Sequence, residues 1–480
     1  MSAAGPDLVV AGAGGGLAGA LRAAQCGLDV LVVEASEHYR RGNNTSMSTA
    51  MIPGAGSRWQ RTQGIEDSPQ MFVADIMAKT HGQADARLAL ALAQVSAELV
   101  EWLADEADTP LSLATDFQYP GHAVDRCHTV EGRHGSVLLD QLVGQVRRSD
   151  RIDMLVPARL VDVLLDDTGG VRAVVVEQPD GQREEIATDA VLLATNGYGA
   201  DRDMVRQHLP EIAAAVYHGS EASRGDALRI GTRLGGRAAY LDAYQGHAAL
   251  AARAKTLVGW ATVMRGGVLL DLTGRRFGDE TRGYSEYAAE LAARPDATGW
   301  LVFDRRIHDA CLAFTDFRQT VDSGAVVWAD DAKQLCAHTG LPHDEVDAEL
   351  AQAADVAHGR ATDRFGRTHF EAPLEPPYAA VRVVPALFHT QGGLVVDEHA
   401  RVERADGVPV PGLYASGGAA CGISGHGAAG YLAGNGLLPA FGLAYLAAGH
   451  AARHRGGHDR SDTSRADETH TTTAGRNEAR

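Results

Sequence analysis

The sequence predicts an α/β fold interrupted by an inserted α+β segment, and three observations predict it. The first 34 residues read as strand, glycine turn, helix, strand. Helical and short-strand patterns then fill residues 71–197, and strand signals return after about residue 389, beyond a long stretch of mixed helices and loops. A sheet-based domain interrupted by an inserted cap accounts for that order.

Each element has a local reason. Asp7 to Ala11 is a short apolar strand, Gly12 to Gly16 a turn, Leu17 to Gln25 an alanine-rich helix closed by Gly27, and Leu28 to Val33 a second strand. Residues 71–107 carry helical periodicity, as do 136–147. Residues 152–197 read as short strands, with Pro179-Asp180-Gly181 marking a hairpin turn. The last segment, 453–480, has no apolar residue beyond alanine and reads as a disordered tail.

Composition narrows the function. At 480 residues, with 44 Lys plus Arg against 62 Asp plus Glu, the net charge is −18. That acidity disfavours nucleic-acid and anionic-membrane partners. The five cysteines are scattered and never paired at two-residue spacing, so neither a disulfide framework nor a metal site is indicated. A basic leader and an apolar run of 18 residues are both missing from the sequence, which sets the expectation of a cytoplasmic protein without membrane insertion.

The opening turn carries chemistry. Gly12, Gly14 and Gly16 follow a strand and open a helix, and Glu34 ends the next strand 18 residues after Gly16. Glycines let a pyrophosphate approach the backbone, the helix N-terminus stabilises its charge, and the carboxylate accepts ribose hydroxyls. The turn has one residue, not two, before the third glycine; Gly14, Gly16 and Gly19 restore the usual spacing but start the helix late. No second fingerprint occurs, so a single bound dinucleotide is expected.

At GNNTSMSTAMIPGAGSRWQRTQGIEDSPQ (42–70) the sequence resembles the FAD-dependent fumarate reductase and succinate dehydrogenase flavoprotein superfamily, which includes 3-ketosteroid Δ1-dehydrogenases. AVLLATNGYG (190–199), SRGDALRIGTRLGG (223–236), GGVLLDLTGRRFGDE (266–280), FHTQGGLVVD (388–397) and VPGLYASGG (410–418) agree with it. The resemblance implies a Rossmann-like FAD-binding domain split into residues 1–244 and 390–452, with a cap or substrate domain over 245–389. It also implies non-covalent FAD. Gly12, Gly14, Gly16 and Glu34 would hold the ADP half, with Asn44, Thr45, Ser46 and Ser48 near the pyrophosphate and flavin. Ala194, Thr195 and Gly197 would line the adenine side, and Asp226 would support them. Gly436 and Leu437 open the last helix, whose N-terminus would face the flavin ring, and Pro439 fits its first turn. Gly418 stands where the family often carries a glutamate.

Departures from the fumarate reductase pattern point to the chemistry. His247, Arg265 and His389 are kept, but Tyr284 replaces the proton-donating arginine, Thr262 the relay glutamate and Tyr431 a further arginine. Tyr284 and Tyr431 resemble the active-site tyrosines of the ketosteroid dehydrogenases, and Tyr119 matches a third. The resemblance implies that Tyr431 donates to a ketone oxygen and Tyr284 acts as base, with Tyr119 sharing the proton. A phenol's ordinary pKa near 10 demands a neighbouring cation, for which Arg282 or Arg265 is expected. The retained histidines suggest a second polar group on the substrate. The expected function is FAD-dependent desaturation of the bond α,β to the carbonyl of a cyclic ketone or keto acid, with an external electron acceptor. The alternative is an ene-reductase drawing on an electron donor, with Tyr284 giving the proton.

Overall fold

The computed structural model describes residues 5–116 and 119–466, the last twelve of them as backbone alone. Strand β1 (Leu8–Ala11), helix α1 (Gly16–Gln25) and strand β2 (Val30–Val33) form the expected opening unit. β1 pairs in parallel with β2 on one side and with Val191–Leu193 on the other, with Val9 opposite both Leu31 and Val191. The strands Ile152–Leu155, Pro409–Ala415 and Arg401–Glu403 complete a six-stranded sheet with β1 inside it. β1, β2 and Val191–Leu193 are buried along their whole length, as continuous apolar strands covered on both faces must be. Residues far apart in the chain thus build one sheet, and the carboxyl end of β1 feeds the glycine turn.

A second six-stranded sheet is organised around the long strand Tyr378–Thr390. Tyr244–Ala251, Gly299–Asp304 and Val327–Ala329 pair antiparallel with it, and Val216–Tyr217 joins in parallel from before the expected cap segment. A smaller antiparallel sheet contains Val171–Glu177 and Arg183–Ala187, joined through the Pro179-Asp180-Gly181 turn.

The periodic stretch 71–107 resolves into two helices, Pro69–Lys79 and Ala86–Asp105, separated where His81 and Gly82 take positive φ. Ser68 and Asp85 cap them, each accepting backbone N–H groups on its side chain. The final helix, Leu437–Ala466, runs past the boundary expected at residue 452. Arg453 and His454, just past that boundary, are exposed. The rest of the expected tail, 467–480, lies outside the described residues. Among the described residues no helix is long and apolar enough to cross a membrane. Four cysteines are buried and Cys26 is exposed.

Candidate active site

A cavity of about 270 Å³ runs from the glycine turn, past the start of the final helix, to the inner face of the second sheet. Gly12, Gly14, Gly15 and Glu34 line one end. Gly12 has φ +108, and a Cβ there would lie 2.4 Å from the Ala194 carbonyl oxygen, so only glycine suits the turn. A Cβ on Gly14 would sit 3.1 Å from Thr45 Oγ1. Gly16 does not line the cavity; its missing side chain lets α1 lie against Val10, whose Cγ1 would be 2.7 Å from a Cβ. The shortened turn therefore divides the work, with Gly15 on the cavity wall and Gly16 at the helix–strand contact.

Glu34 is buried and fixed by its own backbone neighbours. Its Oε2 accepts the Ala13 N–H at 2.7 Å and its Oε1 the Ser36 N–H at 2.8 Å. Burial pushes its pKa up while these N–H donors pull it down. Each oxygen keeps acceptor capacity for a ribose hydroxyl.

Asn44, Thr45 and Ser48 line the middle of the cavity; Ser46 does not, being turned back to Asn43 through two 2.8 Å hydrogen bonds. Asn44 joins the two sheet regions: its Nδ2 donates to the Phe388 carbonyl at 2.9 Å, and its Oδ1 accepts the Ser220 N–H at 2.7 Å. Ala194 and Thr195 line the wall, whereas Gly197 lies behind it, where a Cβ would overlap Thr390. Asp226 is paired with Arg159 through oxygens 2.7 to 3.0 Å from the guanidinium nitrogens. Gly418, Gly436 and Leu437 line the end nearest the final helix.

Two buried hydroxyls on this wall, Thr195 Oγ1 and Ser416 Oγ, have no hydrogen-bond partner in the protein. Buried polar atoms of this kind are completed by a bound group or an ordered water. Together with the glycine cradle and Glu34, they fit the ribose, pyrophosphate and ribityl polarity of FAD.

The other end holds the aromatic cluster. Glu280 sets it up, because Arg276 reaches it at 2.8 and 2.7 Å, Arg367 at 3.2 Å and the Leu269 N–H at 3.2 Å, all buried. This ion-pair network anchors the turn from which the helix Tyr284–Ala292 starts. The Tyr284 ring stacks on His247 at 5.0 Å and 22°, and His247 stacks in turn on Phe388 at 5.4 Å and 18°. Tyr431 meets Tyr284 edge-on, their ring centroids 5.9 Å apart. His389 lies 6.1 Å from the Tyr431 ring, and a Cβ on Gly436 would lie 3.4 Å from the Tyr431 oxygen. Tyr119 lines the same end and accepts a 2.9 Å hydrogen bond from Arg133 Nη1.

The cluster is electrically quiet. Burial pushes the His247 pKa down to about 3 and that of His389 to about 4, so both are neutral near pH 7. The Tyr284 and Tyr431 phenols are pushed up, chiefly by burial. The expected cation beside Tyr284 is not there. Arg265 is off the cavity and turned to Glu371 at 3.2 Å. Arg282 is exposed, separated from Tyr284 by Gly283 at φ +144, which swings the chain between them. Among the described residues, the arginines on the cavity wall are Arg133, held by Asp116 and Tyr119, and Arg159, held by Asp226.

Sequence reasoning missed Arg133, Trp260, Asp316 and Phe388, all on the cavity wall. None sits in a spaced motif. Arg133 reaches the site from a short 3₁₀ turn at φ +50, a geometry that nothing in EGRHGS announces. Phe388 sat in plain view beside His389.

The comparisons agree with this geometry. The family model described as FAD binding domain matches residues 7–437. The NADH:fumarate oxidoreductase of Klebsiella pneumoniae (strain 342) is 28% identical over 427 residues, which cover 87% of this chain and 45% of that protein. The chain thus spans under half the length of that relative. A flavocytochrome c3 fumarate reductase in its open conformation superposes with a TM-score of 0.78 at 25% identity, covering 94% of this chain and 78% of that one. The 3-ketosteroid-Δ4-(5α)-dehydrogenase of Rhodococcus jostii RHA1, solved with 4-androstene-3,17-dione, gives 0.72 at 24% identity over 93% and 96%. The architecture is therefore a Rossmann-like FAD-binding fold with an inserted cap, and the chain belongs to the FAD binding domain family, with FAD as its cofactor.

Proposed function

We propose that this protein is an FAD-dependent oxidoreductase of CH–CH bonds that desaturates the bond α,β to the carbonyl of a cyclic ketone. One observation carries the reading: the reacting end of the cavity is built from the phenols of Tyr284, Tyr431 and Tyr119 and from neutral histidines, with each wall arginine already paired. A dicarboxylate would need uncommitted positive charge here, whereas a ketone needs a neutral hydrogen-bond donor for its oxygen. Trp260, Phe314 and Phe388 add apolar wall for a hydrocarbon ring.

FAD, when bound, supplies the hydride acceptor. The chain's own residues do the rest. Tyr431, packed beside Gly436, donates to the ketone oxygen and so acidifies the adjacent carbon. Tyr284 takes the proton from that carbon, and its stacking on His247 holds the phenol in place. Tyr119 brings the Arg133 charge to the cluster's edge. His389, beside Tyr431, and His247 shape the pocket as neutral groups. The residue ranges 1–244 and 390–452 for the FAD-binding part, and 245–389 for the cap, are part of this proposal.

A second reading rests on the raised phenol pKa values: protonated phenols are proton donors, which suits saturation of an activated C=C bond. 4-Androstene-3,17-dione distinguishes the two, since it offers both a saturated bond beside its ketone and an enone. Mixed anaerobically with the oxidised enzyme, it should bleach the flavin, and fumarate and succinate should change neither redox state. Reoxidation of reduced flavin by the steroid, without bleaching of oxidised flavin, would establish the ene-reductase instead.

A further inference from the structure

Behind the tyrosines lies a second, small pocket. Pro120, Tyr284, Tyr431 and Ala433 line both it and the main cavity, so the two phenols form the partition. Its far side is made by Lys79, Gly283 and Glu286. Its volume of about 10 Å³ is the room of a single water molecule. Lys79 Nζ contacts both Glu286 oxygens, at 3.0 and 3.1 Å, and donates to the Arg282 carbonyl at 3.1 Å. The Lys79 and Glu286 side chains are 14% and 18% exposed, so the pair touches solvent on one side and the pocket on the other. A Cβ on Gly283 would lie 2.6 Å from Glu286 Oε2, so glycine is what lets the carboxylate lie against the backbone beside Tyr284.

We propose that Glu286 relays protons between the Tyr284 phenol and solvent through this small pocket. The proposal rests on the reading of Tyr284 as the group that handles the substrate proton. Tyr284 is buried, and among the described residues no cation is hydrogen-bonded to it, so a neutral phenol can take a proton only if it passes its own onward. In desaturation, the Tyr284 oxygen takes the proton from the carbon beside the ketone. The electron pair of that C–H bond becomes the C=C bond as hydride leaves the neighbouring carbon for FAD. The original phenolic proton passes through the pocket water to the Glu286 carboxylate, which releases it to solvent, and both side chains return to their starting states. Burial raises the proton affinity of Glu286, while Lys79, Arg282 and His81 oppose it. Among the described residues, those cations and the uncharged Tyr284 and Tyr431 are the titratable groups that face the carboxylate. Glu286 acts through Tyr284 and is a positioning residue in the proton path.

The test follows anaerobic bleaching of the FAD-loaded full chain by 4-androstene-3,17-dione and by cyclohexanone across pH. Glu286→Gln should slow bleaching about 100-fold at unchanged KM and erase the acidic limb of the pH profile, and Glu286→Asp should restore part of both. Lys79→Met should keep the limb and move it to higher pH, because the lysine favours the carboxylate. Wild-type bleaching rate and profile in Glu286→Gln, beside an inactive Tyr284→Phe, would overturn the relay and leave the Tyr284 reading standing. Full activity in Tyr284→Phe, or no bleaching of the wild-type enzyme by either ketone, would overturn the reading and the relay with it.

Discussion

Arg133 Nη1 donates a 2.9 Å hydrogen bond to the Tyr119 phenol, while its other terminal nitrogen holds Asp116 and its guanidinium lies 4.8 Å over the Phe314 ring. The contact joins a 3₁₀ turn beside the FAD-binding sheet to the aromatic wall of the cavity. Burial pushes the Tyr119 phenol up, and Arg133 is the charge that opposes it.

Replacing that charge should therefore weaken proton handling without unseating the cofactor. Arg133→Leu is expected to lower kcat about 10- to 100-fold, the worth of one charged hydrogen bond, and to move the activity profile to higher pH. Steady-state rates across pH, beside flavin content by absorbance, measure both effects.

In the proposed chemistry Tyr431, which lines the cavity, is the donor to the ketone oxygen. Tyr431→Phe should cost about 100- to 1,000-fold in kcat, the usual loss of one oxyanion donor, with FAD retained and KM little changed. A variant with wild-type kcat would remove Tyr431 from the chemistry.

Gly14 lines the glycine-turn end of the cavity, proposed to hold the pyrophosphate, 3.1 Å from Thr45 Oγ1 at its would-be Cβ. Gly14→Val fills the cradle without demanding a positive φ, since Gly14 is not among the positive-φ glycines. The variant should purify folded but colourless, with a circular dichroism spectrum like that of the wild-type apoprotein. Full FAD content would place the pyrophosphate elsewhere.

Asp316 faces the cavity with His134 Nε2 at 3.8 Å, an imidazole whose own pKa burial lowers, and burial pushes the Asp316 carboxyl up to about 7. Since the unfolded value is near 4, the folded state holds an extra proton between about pH 4 and pH 7, and stability falls as pH rises through that window. Asp316→Asn should match the wild type at pH 4 and exceed it at pH 8 by up to about 4 kcal/mol. Chemical denaturation at the two pH values measures the difference.

The opening βαβ unit was legible because its information is local. Apolar runs, a glycine turn and Glu34 lie within 34 residues, and short-range sterics and backbone hydrogen bonding decide such a unit. The same holds for the helix that opens at Leu437, whose first turn accepts Pro439. The boundary at residue 452 was expected from the loss of apolar residues, and the helical backbone continues past it to Ala466.

By itself the sequence determined the glycine turn after the first strand, the identity of the tyrosines and histidines, and the replacement of three family positions by hydroxyls. Tertiary structure alone decided which charges reach them. Arg265 and Arg282 are close to Tyr284 in the chain and are carried away by an ion pair and a glycine bend, whereas Arg133, 151 positions earlier, arrives at Tyr119. The physical reason is that a charge acts over a few ångströms of space, and which side chains come that close depends on how the two sheets pack across the cavity.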